Sequence, residues 1–600
     1  MTRTRAHDTR APSAPTMRRR RHGTWPSARE PGMRQQMPLA SLPTDPSRSV
    51  SPPRLRTPLP SAPRRSDGGP RSRPADGRLA SLLVALAVCG CKPAGAVVEL
   101  SKEGSSDDAL EVAALPADGP KLVALRAGTP VLARPQAGAR KLGELYPGAS
   151  VVRSSEPYGR AGCSGGWYAI RPRGFVCAGD GATLNTDVLA LLPALPDTSR
   201  PLPYRYGRAR TQGAPAYFGV PSREELQRAE PDLDRHLERV QRSDAQLGAS
   251  ANDVPLDARG VSSGPPVLLP RGDGIGEDGR RTEAGYFLFP IADAIAPLPP
   301  VAALGIDIGG KDGARVDLRA ALKTVALRKG SGVAITRTFT AGATDGRRFG
   351  VTPEGRLVPT DRLQAALGSP WHGLDVEKHG LPVAFVHRHD VHTWSLGRGK
   401  ATANDEELER RTGVPLTGRF RTVDGVRFEE ARDGFWLRAQ DLVVVVRRTK
   451  LPDFAKGAQR WLDVSLVNQT LTAYEGQKPI YATLISSGRD QLRDPESTAS
   501  TARGTFRVRS KHVTRNVDPR EVADSFDVTD APWVMALAPD QAITGMYWGA
   551  GVGEAQGFHD IALTPIDARR IFLWAEPELP EGWHAVYSNG EEGTLVHVRP

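Results

Sequence analysis

The sequence predicts a mostly β, multidomain chain in which small barrels precede a larger β-rich domain. Three observations carry that expectation. Short apolar runs, each bounded by Gly or Pro, succeed one another closely from Lys121 to Ala178, the spacing of short strands in a barrel or sandwich. Near the end of the chain Leu471 and Ala473 alternate with threonines ahead of a Glu475-Gly476 turn, which suits a hairpin. The clearest helical signal is confined to Ser222–Ser243. With 600 residues there is room for roughly three to five domains of about 100–200 residues each.

The net charge is +12, yet residues 1–80 hold 17 Arg, no Lys and 5 acids, which is already +12. The remainder balances at 63 bases and 63 acids, 80 less 17 and 68 less 5. A nucleic-acid partner would rest on the head alone and is not expected. Residues 1–77 are rich in Arg, Pro and Ser without apolar periodicity, so they cannot bury a core and are expected to be disordered. They read either as a basic arm or, preferably, as sequence upstream of the true translation start.

Arg71, Arg73 and Arg78 then precede the apolar run Leu79–Val88 and Cys89-Gly90-Cys91. A charged stretch before about ten apolar residues is the secretory pattern, and it is too short to span a bilayer. Residues 78–91 resemble a bacterial lipoprotein signal. Cys91 fits best as the lipidated residue, with small Gly90 before it and Val88 at the third position back; Cys89 is the alternative, with bulky Val88 at its cleavage position. The resemblance implies export and an N-terminal lipid anchor, and Lys92 after Cys91 implies passage to an outer membrane, with the protein on the periplasmic side. In an exported chain two nearby cysteines, Cys163 and Cys177, are expected to form a disulfide. A metal would need more ligands than that segment offers.

Residues 92–117 are small, polar and acidic in their second half, and read as a tether. The strands expected next are Lys121–Leu125, Pro130–Arg134, Lys141–Tyr146, Ser150–Arg153, Trp167–Arg171 and Gly174–Ala178. The run Gly165-Gly166-Trp167-Tyr168-Ala169-Ile170-Arg171-Pro172, continued as far as Gly181, resembles the last strands of a bacterial SH3-like domain, placed at 118–185. A similar ending recurs at Asp433-Gly434-Phe435-Trp436-Leu437-Arg438 before Asp441, and more weakly at Arg348-Phe349-Gly350-Val351 before Asp361. Further SH3-like units are therefore expected at 300–366 and 367–450, as interaction modules. Between them, 186–299 is less regular. Ser222 with Glu225 three residues on makes a capping box, Pro231 interrupts the helix, and its polar composition predicts a surface position. Residues 249–285, rich in Gly, Asp and Arg, read as loop.

From Arg460 the chain changes character. Trp461–Leu466, the phrase Gln469–Gly488, Thr501-Ala502-Arg503-Gly504-Thr505-Phe506, Asp530–Met535, Tyr547-Trp548 and Gln541–Phe572 are spread over about 140 residues. Residues 460–600 resemble the L,D-transpeptidase catalytic domain (YkuD-type), with Ala502 where the family has proline. The resemblance implies a β-rich fold, peptidoglycan stem peptides as substrate and a cysteine nucleophile. The family's His-Gly pair falls on Thr544-Gly545, and its Ser-x-Gly-Cys on Gly557-Phe558-His559-Asp560. Asp560 stands at the cysteine position, and no cysteine occurs after Cys177. Ala562 replaces an arginine. Ile561, Leu563, Asp567, Ala568 and Phe572, which read as packing and helix-start positions, match. A thiolate needs a neighbouring base, and both halves of that pair have changed. A carboxylate attacking an amide gives an anhydride that reverts more easily than the amide reacts. The implied molecule is a catalytically silent homologue that binds peptidoglycan stem peptides or envelope proteins; the alternative is an active transpeptidase or carboxypeptidase with an atypical nucleophile.

Three other patterns bear on function. His559-Asp560 could take part in a metal or general-base site with His584 and Asp567, but a solvated polar loop is favoured. Gly305–Asp312 nearly fits a phosphate loop, yet Asp312 stands where a hydroxyl would hold Mg²⁺, so a tight turn is the better account. His387, His389 and His392 cannot all share one face of a strand, so they read as surface histidines. No cofactor and no metal are expected.

Overall fold

The computed structural model describes residues 110–179, 181–192, 194–247, 324–341, 347–517, 526–549 and 551–600, with four short strand segments between 267 and 288. The chain divides into units 1–98 and 99–600, and every described residue lies in the second. Residues 1–77, the segment 78–91 that resembles a lipoprotein signal, with Cys89 and Cys91, most of 92–117 and the stretch Gly305–Asp312 lie outside the described residues. None of the described helices is long and apolar enough to cross a membrane.

The architecture is mostly β and built of several sheets. Strands Lys121–Ala124, Thr129–Leu132, Lys141–Leu145, Ser150–Val152, Trp167–Ala169 and Phe175–Cys177 fall within a residue or two of those read from the alternation. Their inward side chains, Leu122, Val131, Leu142, Val151, Tyr168 and Val176 among them, make one apolar cluster. That cluster also contains Trp583 and Val586, more than four hundred residues along the chain. Gly143 makes this possible: a Cβ there would stand 2.2 Å from the Trp583 ring. Cys163 and Cys177 are joined by a disulfide with Cα atoms 5.8 Å apart.

Residues 460–600 form two sheets facing across a core. One runs Leu374–Asp375, Lys478–Leu484, Thr470–Glu475, Arg460–Ser465, Leu595–Arg599 and Gly504–Arg507 in spatial order. The other contains Ser510–Val517, Val528–Ala538, Gln541–Gly545 and Ile561–Leu563. Leu462, Leu471, Val513, Trp533, Met535, Ile543 and Ile561 fill the space between them, with Ile571 and Phe572 from helix Pro565–Trp574. The helix starts where the sequence says it should: Thr564 Oγ1 accepts from Asp567 N–H, and proline occupies the first turn.

This second sheet does not stop at the domain edge. Strand Ala585–Tyr587 pairs with Ser510–Val517 on one side and with Gly143 and Glu144 of the N-terminal strands on the other. At its far end Gly332 pairs with Val528, and Gly332–Ile335 continues into Arg205–Ala209 and Leu363–Ala365. Edge strands that would otherwise be open are thereby covered. The pairing also crosses the boundary expected at residue 300. Strands from 205–216 complete the sheet of 325–365, so that region is built from two stretches of chain and is not a repeat closed on itself. The local likeness between the two recurring endings does hold: Leu357–Pro359 and Trp436–Arg438 each run through a single 3-10 turn, ending near Asp361 and Asp441, into a further strand.

The helical stretch forms two helices, Arg223–Ala229 and Leu233–Leu247, separated around Pro231, and the capping box between Ser222 and Glu225 is present. Its expected surface position holds for most of its side chains, which are exposed, but one face turns inward. Leu226 and Leu233 pack with Tyr217, Phe349 and Leu357, and Glu230 between the helices is buried. Arg347 grips Glu230 with two bonds of 2.6 and 2.8 Å, and Arg362 Nε adds a third at 2.6 Å. A carboxylate can sit inside only because those two guanidiniums neutralise it.

Candidate functional site

Strand Gln541–Gly545 and strand Ile561–Leu563 lie side by side and parallel, with Thr544 opposite Ala562. The family-equivalent residues therefore sit on adjoining strands and on the loop that closes between them. Thr544 is 1% exposed, and its Oγ1 has no hydrogen-bond partner among the described residues. Gly545 allows a close approach, since a Cβ would meet the Pro532 carbonyl at 2.9 Å. Gly557 is fixed to the neighbouring segment: its N–H donates to Ser487 O at 2.9 Å, and its carbonyl accepts from Arg489 N–H at 2.8 Å. The Arg489 guanidinium lies 5.0 Å from the Phe558 ring.

Asp560 is half-buried, and its Oδ1 accepts the backbone N–H of Ala542 at 2.7 Å. Burial pushes its carboxyl up to about 6, against the pull of the Ala542 bond and of Arg515. The side chain thus ties one strand to the next. His559 Nδ1 stands 4.0 Å from Asp540 Oδ2 and points to a different carboxylate from its neighbour. His584 and Asp567 do not join this pair. His584 bonds to Thr514, and Asp567 accepts from Tyr481 Oη at 2.6 Å, from Thr483 Oγ1 and from Gly373 N–H at 3.2 Å. The His-Asp metal reading loses its further ligands for this reason. His392 faces Glu407 at 3.3 Å and Asn404 O at 3.1 Å, while His387 and His389 lie on the turn before its strand.

Asp567 holds a helix start, a strand and a loop together. Asp567→Ala is expected to destabilise the protein by about 2–4 kcal/mol, because it leaves two buried hydroxyl donors and an N–H unpaired. Urea denaturation of the variant measures this, and a cost below about 1 kcal/mol would contradict the account.

A second polar cluster went unseen in the sequence. The N-terminal strands and the C-terminal sheet bound a cleft of about 510 Å³. Asp530 lies in its wall, 5% exposed, and accepts from Thr514 Oγ1 at 3.2 Å and Tyr146 Oη at 3.5 Å. Burial pushes its carboxyl up to about 7, with Glu354 adding to the rise. Tyr146 stacks on His584 at 4.2 Å. Burial pushes Glu144 upward too, but bonds from Lys141 and Tyr587 outweigh it and hold that carboxyl below its usual range. Residues 144, 514, 530 and 584 share no local pattern. The one signal available was a single acid inside the otherwise apolar run Val528–Ala538.

The class defined by fold and site is a two-sheet β domain, extended at both edges by smaller β modules, with a bonded carboxylate at its strand-joining loop. Comparison with known proteins finds no matching family model and no matching curated protein. Among solved structures it finds an L,D-transpeptidase of Enterococcus faecium, at 20% identity and a TM-score of 0.18, covering 24% of this chain and 50% of that one. The catalytic domain of an E. faecium L,D-transpeptidase matches at 19% identity and 0.19, covering 24% and 98%. An L,D-transpeptidase from Mycobacterium smegmatis matches at 20% and 0.19, covering 30% and 77%. The chain thus spans half the length of the first of these.

Proposed function

We propose that this protein is a cell-envelope lipoprotein of the L,D-transpeptidase type that binds peptidoglycan stem peptides or envelope partners without transferring an acyl group. The observation that supports this reading is the state of Asp560. It stands at the position the resemblance gives to the nucleophilic cysteine, and its carboxylate is engaged by the Ala542 N–H. The family's base position carries Thr544, whose hydroxyl cannot deprotonate a nucleophile near neutral pH. The only cysteines in the described residues are Cys163 and Cys177, which are bonded to each other. A cleft lined by such groups can still recognise a peptide, since binding needs complementary donors and acceptors but no nucleophile.

The test is D-alanine release from tetrapeptide-stem muropeptides, run beside retention of the same preparation on insoluble peptidoglycan. Retention without release is expected, and Asp560→Ala should leave the release trace at baseline. Release that Asp560→Ala abolishes would reverse the assignment and make the carboxylate a working group. Absence of both would leave an envelope protein whose domain only packs.

A further inference from the structure

The cleft between the N-terminal strands and the C-terminal sheet is lined by residues other than those of the Thr544–Asp560 stretch, and its walls carry acceptors without partners. Thr514 organises it. Its hydroxyl donates to Asp530, and its backbone carbonyl accepts from His584 Nε2 at 2.8 Å. That bond fixes the imidazole tautomer, with the proton on Nε2 and a lone pair on Nδ1. His584 is 5% exposed, lines the cleft, and its Nδ1 has no partner among the described residues. Burial holds the imidazole neutral, pushing it down to about 4, so Nδ1 remains an acceptor at ordinary pH.

Asp530 is a second acceptor without a matching cation. Its bonding partners are two neutral hydroxyls, and among the described residues it makes no ion pair. Glu144, the other acid of the wall, is already taken up by Lys141 and Tyr587. The Tyr146 ring, also in the cleft wall, stacks on His584 and fixes the position of the imidazole. A buried carboxylate that makes no ion pair and an unpartnered imidazole nitrogen thus line one cavity, whose wall also carries the guanidiniums of Arg509 and Arg515. Small-molecule sites commonly lie between domains and use a few convergent polar groups of this kind.

We infer that this cleft binds a small molecule through a primary ammonium group, with Asp530 and His584 Nδ1 as its hydrogen-bond acceptors. Two sources share that chemistry: a simple amine, and an amino acid whose carboxylate meets Arg509 or Arg515 in the same wall. Nothing in this inference depends on stem-peptide binding at the other loop.

The experiment is calorimetric titration of the full chain with ethylamine, alanine and acetate in turn. Ethylamine and alanine are expected to bind and acetate not to bind; a tighter alanine than ethylamine identifies the amino-acid source, and equal affinities the amine. Asp530→Asn keeps the side chain's shape and its acceptor for Thr514, so it should fold, and it should weaken ammonium binding by at least about tenfold, the loss of one charge-assisted bond. His584→Gln should weaken it by a smaller factor. Both variants are checked for folding by circular dichroism before titration. Binding of acetate alone, failure of both amines at millimolar concentration, or an unchanged affinity in folded Asp530→Asn would each overturn the inference.

Discussion

Replacing Glu230 by alanine is expected to destabilise the protein by about 3–5 kcal/mol, the range for removing one partner of a buried ion pair. Glu230 receives Arg347, Arg362 and the Tyr217 hydroxyl at 2.9 Å. Without it Arg347, whose side chain is 2% exposed, keeps only Asp361, at 2.9 Å, as an anionic partner. Arg362 keeps only Asp232, which lies at the solvent edge. The two helices are then held to the strands around Arg347–Val351 by the packing of Leu226 and Leu233 and by the outer pairs Asp232–Arg362 and His236–Asp361. Hydrogen exchange should show protection lost first at residues 223–240 and only later in the C-terminal core, and urea denaturation should give the total. Equal protection in variant and wild type would show that the ion cluster is dispensable. The same cluster sets an acid limit. Burial acts to raise Asp361, but His236 and Arg347 outweigh it and bring its carboxyl down to about 2 from 3.8. A folded value below the unfolded one means stability that is complete above about pH 4 and is lost as pH falls toward 2.

The second large effect has the opposite sign. Asp530→Asn is expected to make the protein more stable at neutral pH, by up to about 4 kcal/mol. Burial raises this carboxyl from 3.8 to about 7, and each pKa unit corresponds to about 1.4 kcal/mol. Because the folded value lies above the unfolded one, the folded chain binds more protons between those limits. Stability from this group is therefore full below about pH 4 and declines as pH rises to about 7. Asparagine cannot ionise and escapes that decline. Urea midpoints at about pH 4 and about pH 8 should diverge, with variant and wild type close in acid and far apart in base. Parallel curves would mean that the carboxyl is solvated in the folded state. A residue that costs stability and also faces a cleft fits the usual exchange between stability and function.

Much was legible in the sequence because it is written locally. Alternation over four to six residues placed the strands between 121 and 178, since a strand with one face on a core must repeat every second residue. The capping box at Ser222 and Glu225 was readable for the same reason, lying within one turn. Asp560 itself was singled out from the continuous segment around it. What Asp560 bonds to was not legible, because Ala542 is brought alongside only by the parallel pairing of two strands.

The sequence by itself determined the mostly β class of fold and the strand segments of 121–178. Tertiary structure alone decided which charges could be buried and where the polar clefts lie. Glu230 reads as a surface residue until Arg347 and Arg362 arrive from over a hundred positions away. The cleft gathers Tyr146, Thr514, Asp530 and His584, which meet only because strand Lys141–Leu145 adds to the edge of the C-terminal sheet. The physical reason is one of range. Backbone periodicity and capping act over a few residues, whereas desolvation and charge pairing depend on whatever the whole fold places within a few ångströms.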